Sequence, residues 1–346
     1  MCFPSPFKST NLNVLPKMKK IKWGILGCGK IARKFAADLK LVEGAECFAV
    51  ASTDGSRAKH FAAEFGFQHS FDSYQKLCDS PVNVIYIATP HGLHHDHVMM
   101  CLQHQKSVLC EKAFALNSHQ LKEMVAESRS RGIFLMEAFW TRFLPQYVRL
   151  TEIIDSGQIG NICTISADFG FKMADPPAPR LYDPLLGGGA LLDIGIYPVF
   201  LAVNLLGRPS EINALMVPFT TGVDQQIVAN MRFENGALAN LQATFLSDTP
   251  VEAVINGTIG RIRITNRFHN ASSRIFLSVN GSAEEEINVH RESGYGYQFE
   301  ARHVQACLEK GLTESPVWSL NHSMLLMETL DRIRVSSGIR YPQLEG

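Results

Sequence analysis

The 346-residue sequence predicts an α/β domain on a parallel, doubly wound sheet, followed by an α+β domain with a large, mostly antiparallel, open-faced sheet. Three observations carry this reading. Short apolar runs alternate with helical periods over residues 21–138, the rhythm of a sheet covered on both faces. After about residue 160 the strands follow one another directly, with every second residue apolar. The length suits about two domains of roughly 150 residues, and hydrophobic residues make up 46% against 19% charged, which favours extensive burial.

In the first domain, Ile21–Leu26 is an apolar run that stops at Gly27, and a helical period follows through Ile31, Phe35 and Leu39. Glu46–Ala51 reads as the second strand and Ser56–Phe65 as a helix. Val82–Ala88 is too apolar for a one-sided sheet and is expected to be a buried strand. Val98–Leu102 reads as a helix and Ser107–Cys110 as a strand. Asn117 caps a further helix, with Gln120 at the capping-box position and Gly132 as its stop. In the second domain, 139–346, the alternation runs through Cys163, Ile165, Ala167, Phe169 and Phe171. It resumes at Ile227–Phe233 and Ala239–Phe245, then in Val251–Ile255, Arg261–Thr265 and Arg274–Val279. One helix, Leu191–Leu206, is left to cover one sheet face, and the other face is expected to form a homodimer. Residues 1–20, rich in Pro, Ser and Asn without a long apolar core, read as a disordered extension rather than a secretory signal.

Lys+Arg and Asp+Glu both total 33, so no basic field exists to hold nucleic acid. No apolar run approaches the roughly 20 residues that cross a bilayer. The eight cysteines follow no metal or disulfide spacing, which points to a cytoplasmic protein with reduced thiols.

Chemistry begins at Gly27-Cys28-Gly29-Lys30-Ile31-Ala32, a G-x-G-x-x-A between a strand and a helix. Gly27 permits the tight turn, Gly29 lets a pyrophosphate approach, Ala32 allows close helix–strand packing, and the helix N-terminus supplies free N–H groups. At the end of the second strand an NAD binder usually carries an acid for the ribose 2′-hydroxyl. Here Ser52 and Thr53 stand there, followed by Arg57, so NADP is preferred with NAD still possible, while Asp54 reads as a helix cap. Cys110-Glu111-Lys112-Ala113 ends a buried strand, where ligands of such sheets bind. Asp193 and Tyr197, at i and i+4 on an otherwise apolar helix, want a polar partner. The run His91, His94, His95, Asp96, His97 has spacing compatible with a metal, but a site would also need outer partners that orient the ligands, so no metal is assigned. His95, His97 and His104 read as solvated helix positions.

These motifs, with A-T-P-H-G-L-H and G-G-G-A-L-L-D-I-G-I-Y, resemble the glucose–fructose oxidoreductase / inositol dehydrogenase / MocA family in order over nearly all of residues 21–342. The segment Glu137–Pro145 and Tyr at 197 look like its dimeric dihydrodiol dehydrogenase and NADP-dependent D-xylose 1-dehydrogenase branch. The resemblance implies a Rossmann domain, hydride transfer between a nicotinamide and a carbinol carbon, and a small polyol, sugar or cyclic diol as substrate. It implies Lys112 and Tyr197 as the catalytic pair with Asp193 nearby. It also places Thr89, Pro90, His91, His94, Glu111 and Lys112 against the cofactor. Trp140, Arg142 and Phe143 are expected to form an apolar substrate wall with one polar handle. Glu-Lys-Ala replaces the family's Glu-Lys-Pro, and the dihydrodiol branch tends to carry Arg at the position of Thr53, which weighs against NADP. Tyr197 is the expected base. At a free pKa of about 10, roughly one phenol in a thousand is ionised at pH 7, so Lys112 is expected to favour the phenolate. A glycosidase using transient oxidation, or an inactive nucleotide-binding sensor, are the other classes such a chain would suit.

Overall fold

The structure, a computed structural model, describes residues 20–175 and 177–344; the extension read at 1–20 lies outside it except for Lys20. The first domain contains β1 (Ile21–Leu26), α1 (Lys30–Leu39), β2 (Ala45–Ala51), α2 (Gly55–Phe65), β3 (His69–Phe71), α3 (Tyr74–Asp79), β4 (Val84–Ile87), α4 (His94–Gln103), β5 (Ser107–Glu111), α5 (Ser118–Arg131) and β6 (Leu135–Ala138). Its six strands are all parallel in the order β3-β2-β1-β4-β5-β6. The order reverses between β1 and β4, where an open α/β sheet offers its crevice. Trp23, Ile25, Val84, Ile85, Ile87, Val108 and Leu109 have no exposed surface, as a doubly covered sheet requires.

Local signals placed most of these elements. Asn117 accepts from Gln120 N at 2.8 Å, and Gln120 Oε1 accepts from Leu116 N at 3.0 Å, while α5 ends on Gly132 in the left-handed region. The short pair β3–α3 carries no readable period, because β3 is an edge strand with His69 and Ser70 exposed. The helix read at Val98–Leu102 starts four residues earlier, at His94.

After α6 (Pro145–Asp155), the second domain holds β7 (Ile162–Gly170), α7 (Ile196–Leu206), β8 (Pro209–Pro218), β9 (Asp224–Phe233), β10 (Leu238–Thr244), β11 (Ala253–Gly257), β12 (Gly260–Thr265), β13 (Arg274–Val279) and β14 (Glu285–Ile287). They form one sheet, β14-β13-β12-β11-β7-β10-β9-β8, antiparallel except for β7–β10. The alternating apolar residues Ile227, Ala229, Met231, Phe233, Ala239, Leu241 and Ala243 face inward, although Cys163 at the strand edge is exposed. α7 packs on β7 and β10. Contrary to the sequence reading, the helical stretch 184–206 is long and apolar enough to cross a membrane, but 78% of its apolar window is buried, as in a core helix. The other face carries Ser166, Glu211, Asn213, Asn230, Arg232 and Asn240 around a groove of about 460 Å³.

The helices that escaped the sequence reading, besides α3 and α6, are α8 (Tyr297–Glu309) and α9 (Leu320–Ser337). α8 packs on α1 and α9 on α5, so the end of the chain returns to the first domain. Asp38 at the end of α1 accepts from the N–H groups of Tyr295, Gly296 and Tyr297, each at 2.9 Å, and so caps α8 from across the boundary. Glu137 is buried between the domains, its Oε2 accepting from Trp318 Nε1 at 3.1 Å and from Ser323 Oγ at 2.7 Å.

Candidate active site

The crevice begins where β1 ends. Gly27 has φ +99°, and a Cβ there would lie 3.0 Å from Ala88 O, so only glycine suits the turn. Gly29 is the N-cap of α1, which has neither a side-chain cap nor an acidic residue in its first turn. The N–H groups at this end are left for an anion, whereas α2 and α5 are capped by Asp54 and Asn117. A Cβ on Gly29 would approach only Ala88 O, at 3.8 Å. This uncapped terminus, flanked by Cys28, Lys30 and Ile31, fits a dinucleotide pyrophosphate.

At the end of β2, Ser52 is buried and its Oγ accepts from Asp54 N at 3.2 Å, so it holds the turn. Thr53 is exposed. Asp54 accepts from Arg57 N at 3.1 Å, and the exposed Arg57 guanidinium lies 3.5 Å from its carboxylate. The Arg57 N–H, with the guanidinium adding to it, holds the Asp54 carboxyl below its usual range.

The segment after β4 turns at Thr89 and Pro90. His91 Nδ1 donates to Gly187 O at 3.0 Å, joining the two domains. His94 is fully buried between Ala113 O at 2.7 Å and Thr89 O at 2.8 Å. Burial lowers both rings, to about 4 for His91 and about 3 for His94, so His94 is neutral and serves one carbonyl at a time. His97, read as solvated, is half-buried, with Nδ1 3.0 Å from Thr89 Oγ1 and its ring edge-on to Tyr74. His95 pairs with Glu123 at 2.9 Å, and no group of three ligating side chains gathers among the described residues.

Lys112 leaves the end of β5 and crosses to the second domain. Its Nζ donates to the backbone carbonyl of Asp193 at 2.7 Å, lies 3.9 Å from the Asp193 carboxylate, and sits 4.9 Å from the centre of the Tyr197 ring. The helix predicted from Leu191 starts as a π-turn over Leu191–Gly195 before α7 continues it. Such irregularities occur at functional sites, and the carbonyl that holds Lys112 belongs to this one. Burial opposes the Lys112 charge, but Tyr197, Asp193 and Glu111 outweigh it and hold the ammonium above its ordinary pKa. Burial likewise opposes the Asp193 charge, yet Lys112 and Arg180, whose Nη1 lies 3.0 Å from Oδ1, keep it ionised. Arg180 was missed because it lies in a loop without a motif.

Tyr197 departs from expectation. Burial raises its pKa above the ordinary 10, more than Lys112 and the Trp140 hydrogen bond lower it, so the resting phenol is neutral. Its hydroxyl accepts from Trp140 Nε1 at 3.0 Å. Behind Lys112, Glu111 accepts from the Tyr86 hydroxyl and from Lys112 N at 3.2 Å, and burial pushes it up to about 7. The predicted substrate wall divides. Trp140 joins the site and stacks on Tyr297 at 4.7 Å. Phe143 instead packs 4.7 Å from His303, and Arg142 lies 5.8 Å over Tyr147. The turn Trp140–Phe143 is a 3-10 helix, and the neighbours of Arg142 and Phe143 differ from those of Trp140.

Residues 21–139 match the GFO/IDH/MocA oxidoreductase family with an NAD-binding Rossmann fold, and residues 147–263 match the GFO/IDH/MocA C-terminal domain. The chain is 36% identical over 332 residues to a trans-1,2-dihydrobenzene-1,2-diol dehydrogenase of Xenopus tropicalis, covering 93% of this chain and 99% of the relative. The enzyme of that name from Homo sapiens is 35% identical, over 93% of this chain and 98% of its own. Among solved structures, a 3-ketoreductase from Actinomadura kijaniata complexed with NADP and TDP-benzene superposes with TM-score 0.82 at 26% identity, covering 92% and 98% of the two chains. Aldose-aldose oxidoreductase from Caulobacter crescentus shares the fold at TM-score 0.85 and 23% identity, again over 92% and 98%.

Proposed function

The chain belongs to the GFO/IDH/MocA family of NAD(P)-binding oxidoreductases, and from that premise we propose reversible hydride transfer between NADP and a hydroxyl-bearing carbon of a sugar such as D-xylose, or of a trans-dihydrodiol. The observation that carries this reading is the Lys112 ammonium, fixed at 2.7 Å by the Asp193 carbonyl and poised 4.9 Å from the Tyr197 ring. A bound nicotinamide supplies the hydride donor or acceptor. Every other task falls to side chains of this chain.

Oxidation of an alcohol releases a hydroxyl proton that needs an acceptor, and reduction of a ketone needs a donor. Tyr197 is the proposed carrier in both directions. Because burial keeps its phenol neutral at rest, reduction can begin without prior ionisation, whereas oxidation requires the phenolate and gains from rising pH. Lys112 and the Trp140 N–H stabilise the phenolate oxygen as it forms. Asp193, carrying charge beside Lys112, orients it and offers an acceptor to a second substrate hydroxyl.

The uncapped N-terminus of α1 is the proposed pyrophosphate seat. Arg57 beside the neutral Ser52 and Thr53 supports NADP over NAD, and Thr89, Pro90, His91, His94 and Glu111 are the proposed nicotinamide surroundings. Trp140 remains the proposed substrate wall, with Arg142 and Phe143 proposed beside it on the same turn. The mixed polar and apolar sheet face supports a homodimer. The test is an absorbance assay at the reduced nicotinamide band with D-xylose, other aldoses, inositols and trans-dihydrodiols against NADP and NAD. Turnover of at least one with NADP supports the reading, and none with either nucleotide overturns it.

A further inference from the structure

His269, in the loop after β12, has no role in the scheme above. Its ring centre lies 4.5 Å from that of Tyr197 and 4.4 Å from that of Phe169, and those two are 5.8 Å apart. The three rings therefore close a triangle around the phenol. Thr141 Oγ1 donates to the His269 carbonyl at 2.8 Å, tying this loop to the turn that carries Trp140. The position of His269 is thus set by the same elements that set Tyr197.

The ring is only 5% exposed, and its Nδ1 is enclosed without a hydrogen-bond partner. Burial, with Lys112 next in weight, lowers its pKa to about 3, so it is a neutral imidazole with one N–H and one lone pair. An enclosed N–H with no acceptor is the rarer and costlier arrangement. The proton therefore belongs on Nε2, and the ring is a hydrogen-bond donor set beside the catalytic phenol among apolar neighbours.

We propose that His269 determines specificity by donating from Nε2 to a substrate oxygen beyond the reacting carbon and its vicinal hydroxyl, selecting polyhydroxylated rings over rings whose remaining edge is hydrocarbon. This rests on the dehydrogenase reading above. A site built to bond a hydroxyl discriminates against an analogue without it far more strongly than size alone allows.

His269→Phe keeps a ring against Phe169 and Tyr197 but removes the donor. It is expected to raise KM for D-xylose and inositol by about 10- to 100-fold, with kcat within a few-fold. The benzene trans-dihydrodiol, whose ring has no oxygen beyond its vicinal pair, should keep its KM within about threefold, and His269→Gln should recover part of the polyol loss. NADP affinity equal to that of the unmodified chain shows that the variant is folded. Equal losses on polyols and dihydrodiol, or a loss confined to kcat with a displaced pH profile, overturn the proposal and make His269 a positioning residue for Tyr197. Should the unmodified enzyme turn over no compound, the dehydrogenase reading fails separately. Quenching of Trp140 fluorescence by D-xylose in the NADP complex then decides: unchanged xylose affinity in His269→Phe overturns the proposal, and weakened affinity upholds it.

Discussion

Replacing Lys112 by Met removes a unit charge 4.9 Å from the Tyr197 ring centre while keeping an unbranched side chain of similar length. At an effective dielectric of about 20, a charge about 5 Å away favours a phenolate by about 3 kcal/mol. That corresponds to about two units in the Tyr197 ionisation. The sign follows from the charge: the ammonium stabilises the anion, so its loss moves the ionisation upward and away from neutral pH. The alcohol-oxidation profile of kcat/KM should rise with pH in both proteins, with the rise about two pH units later in Lys112→Met. At a fixed pH below the rise, that shift is about a hundredfold loss of oxidation. Initial rates between pH 6 and 11, at saturating nucleotide, show where the rise begins in the unmodified enzyme and whether it is delayed in the variant. A rise at the same pH in both proteins, with only its height changed, would refute the electrostatic role and leave Lys112 as a substrate-binding group or as the proton carrier.

Tyr197→Phe should lower turnover by roughly 10²–10⁴ while nucleotide affinity, read by fluorescence titration, is retained. The double variant with Lys112→Met should be little worse than the poorer single variant, because groups acting as a unit are not additive. Arg57→Ala should erode the proposed NADP preference while sparing NAD binding; an unchanged affinity ratio would exclude Arg57 as the 2′-phosphate contact. Leu215 is 81% exposed on the proposed dimer face, and Leu215→Arg should shift sedimentation from dimer to monomer, a test that fails if the unmodified chain already sediments as a monomer at micromolar concentration. Glu137 is raised by burial from its ordinary 4.5 to about 7. Its contribution is therefore full below about pH 4.5 and is lost as pH rises through about 7. Glu137→Gln, which keeps an acceptor for Trp318 and Ser323, should gain melting temperature relative to the unmodified chain at pH 8 and not at pH 4.5.

The parts of this molecule that were readable in the sequence are those fixed by local rules. Gly27 and Gly29 between strand and helix, the Asn117 cap and the two-residue period through Ile227–Phe233 each act over a few residues. The pairing of Lys112 with Tyr197 came from motif resemblance, since nothing in their spacing of 85 positions brings them together. What stayed hidden is non-local. Burial outweighs Lys112 at Tyr197, a balance that depends on Phe139, Phe169 and His269 closing over the ring. His269 and Arg180 belong to loops whose composition marks no function, and the π-turn at Leu191–Gly195 has no signal distinct from that of an α-helix. Arg142 and Phe143 share a motif with Trp140, yet the tight turn sends neighbouring side chains to different surroundings.

The Asp38 cap bears on how the chain can be cut. A ribosome releases the nucleotide-binding half first, but the donors for this buried carboxylate are the N–H groups of Tyr295–Tyr297, more than 250 residues downstream. Glu137 waits likewise for Trp318 and Ser323. A fragment ending at Ala138 leaves both acids without these partners and the α1 and α5 surfaces uncovered. The two halves that look separable in sequence are one unit in assembly. The last-made helices complete the first-made domain, and a nonsense mutation that spares Lys112, Asp193 and Tyr197 but removes α8 and α9 leaves the nucleotide-binding half unfinished.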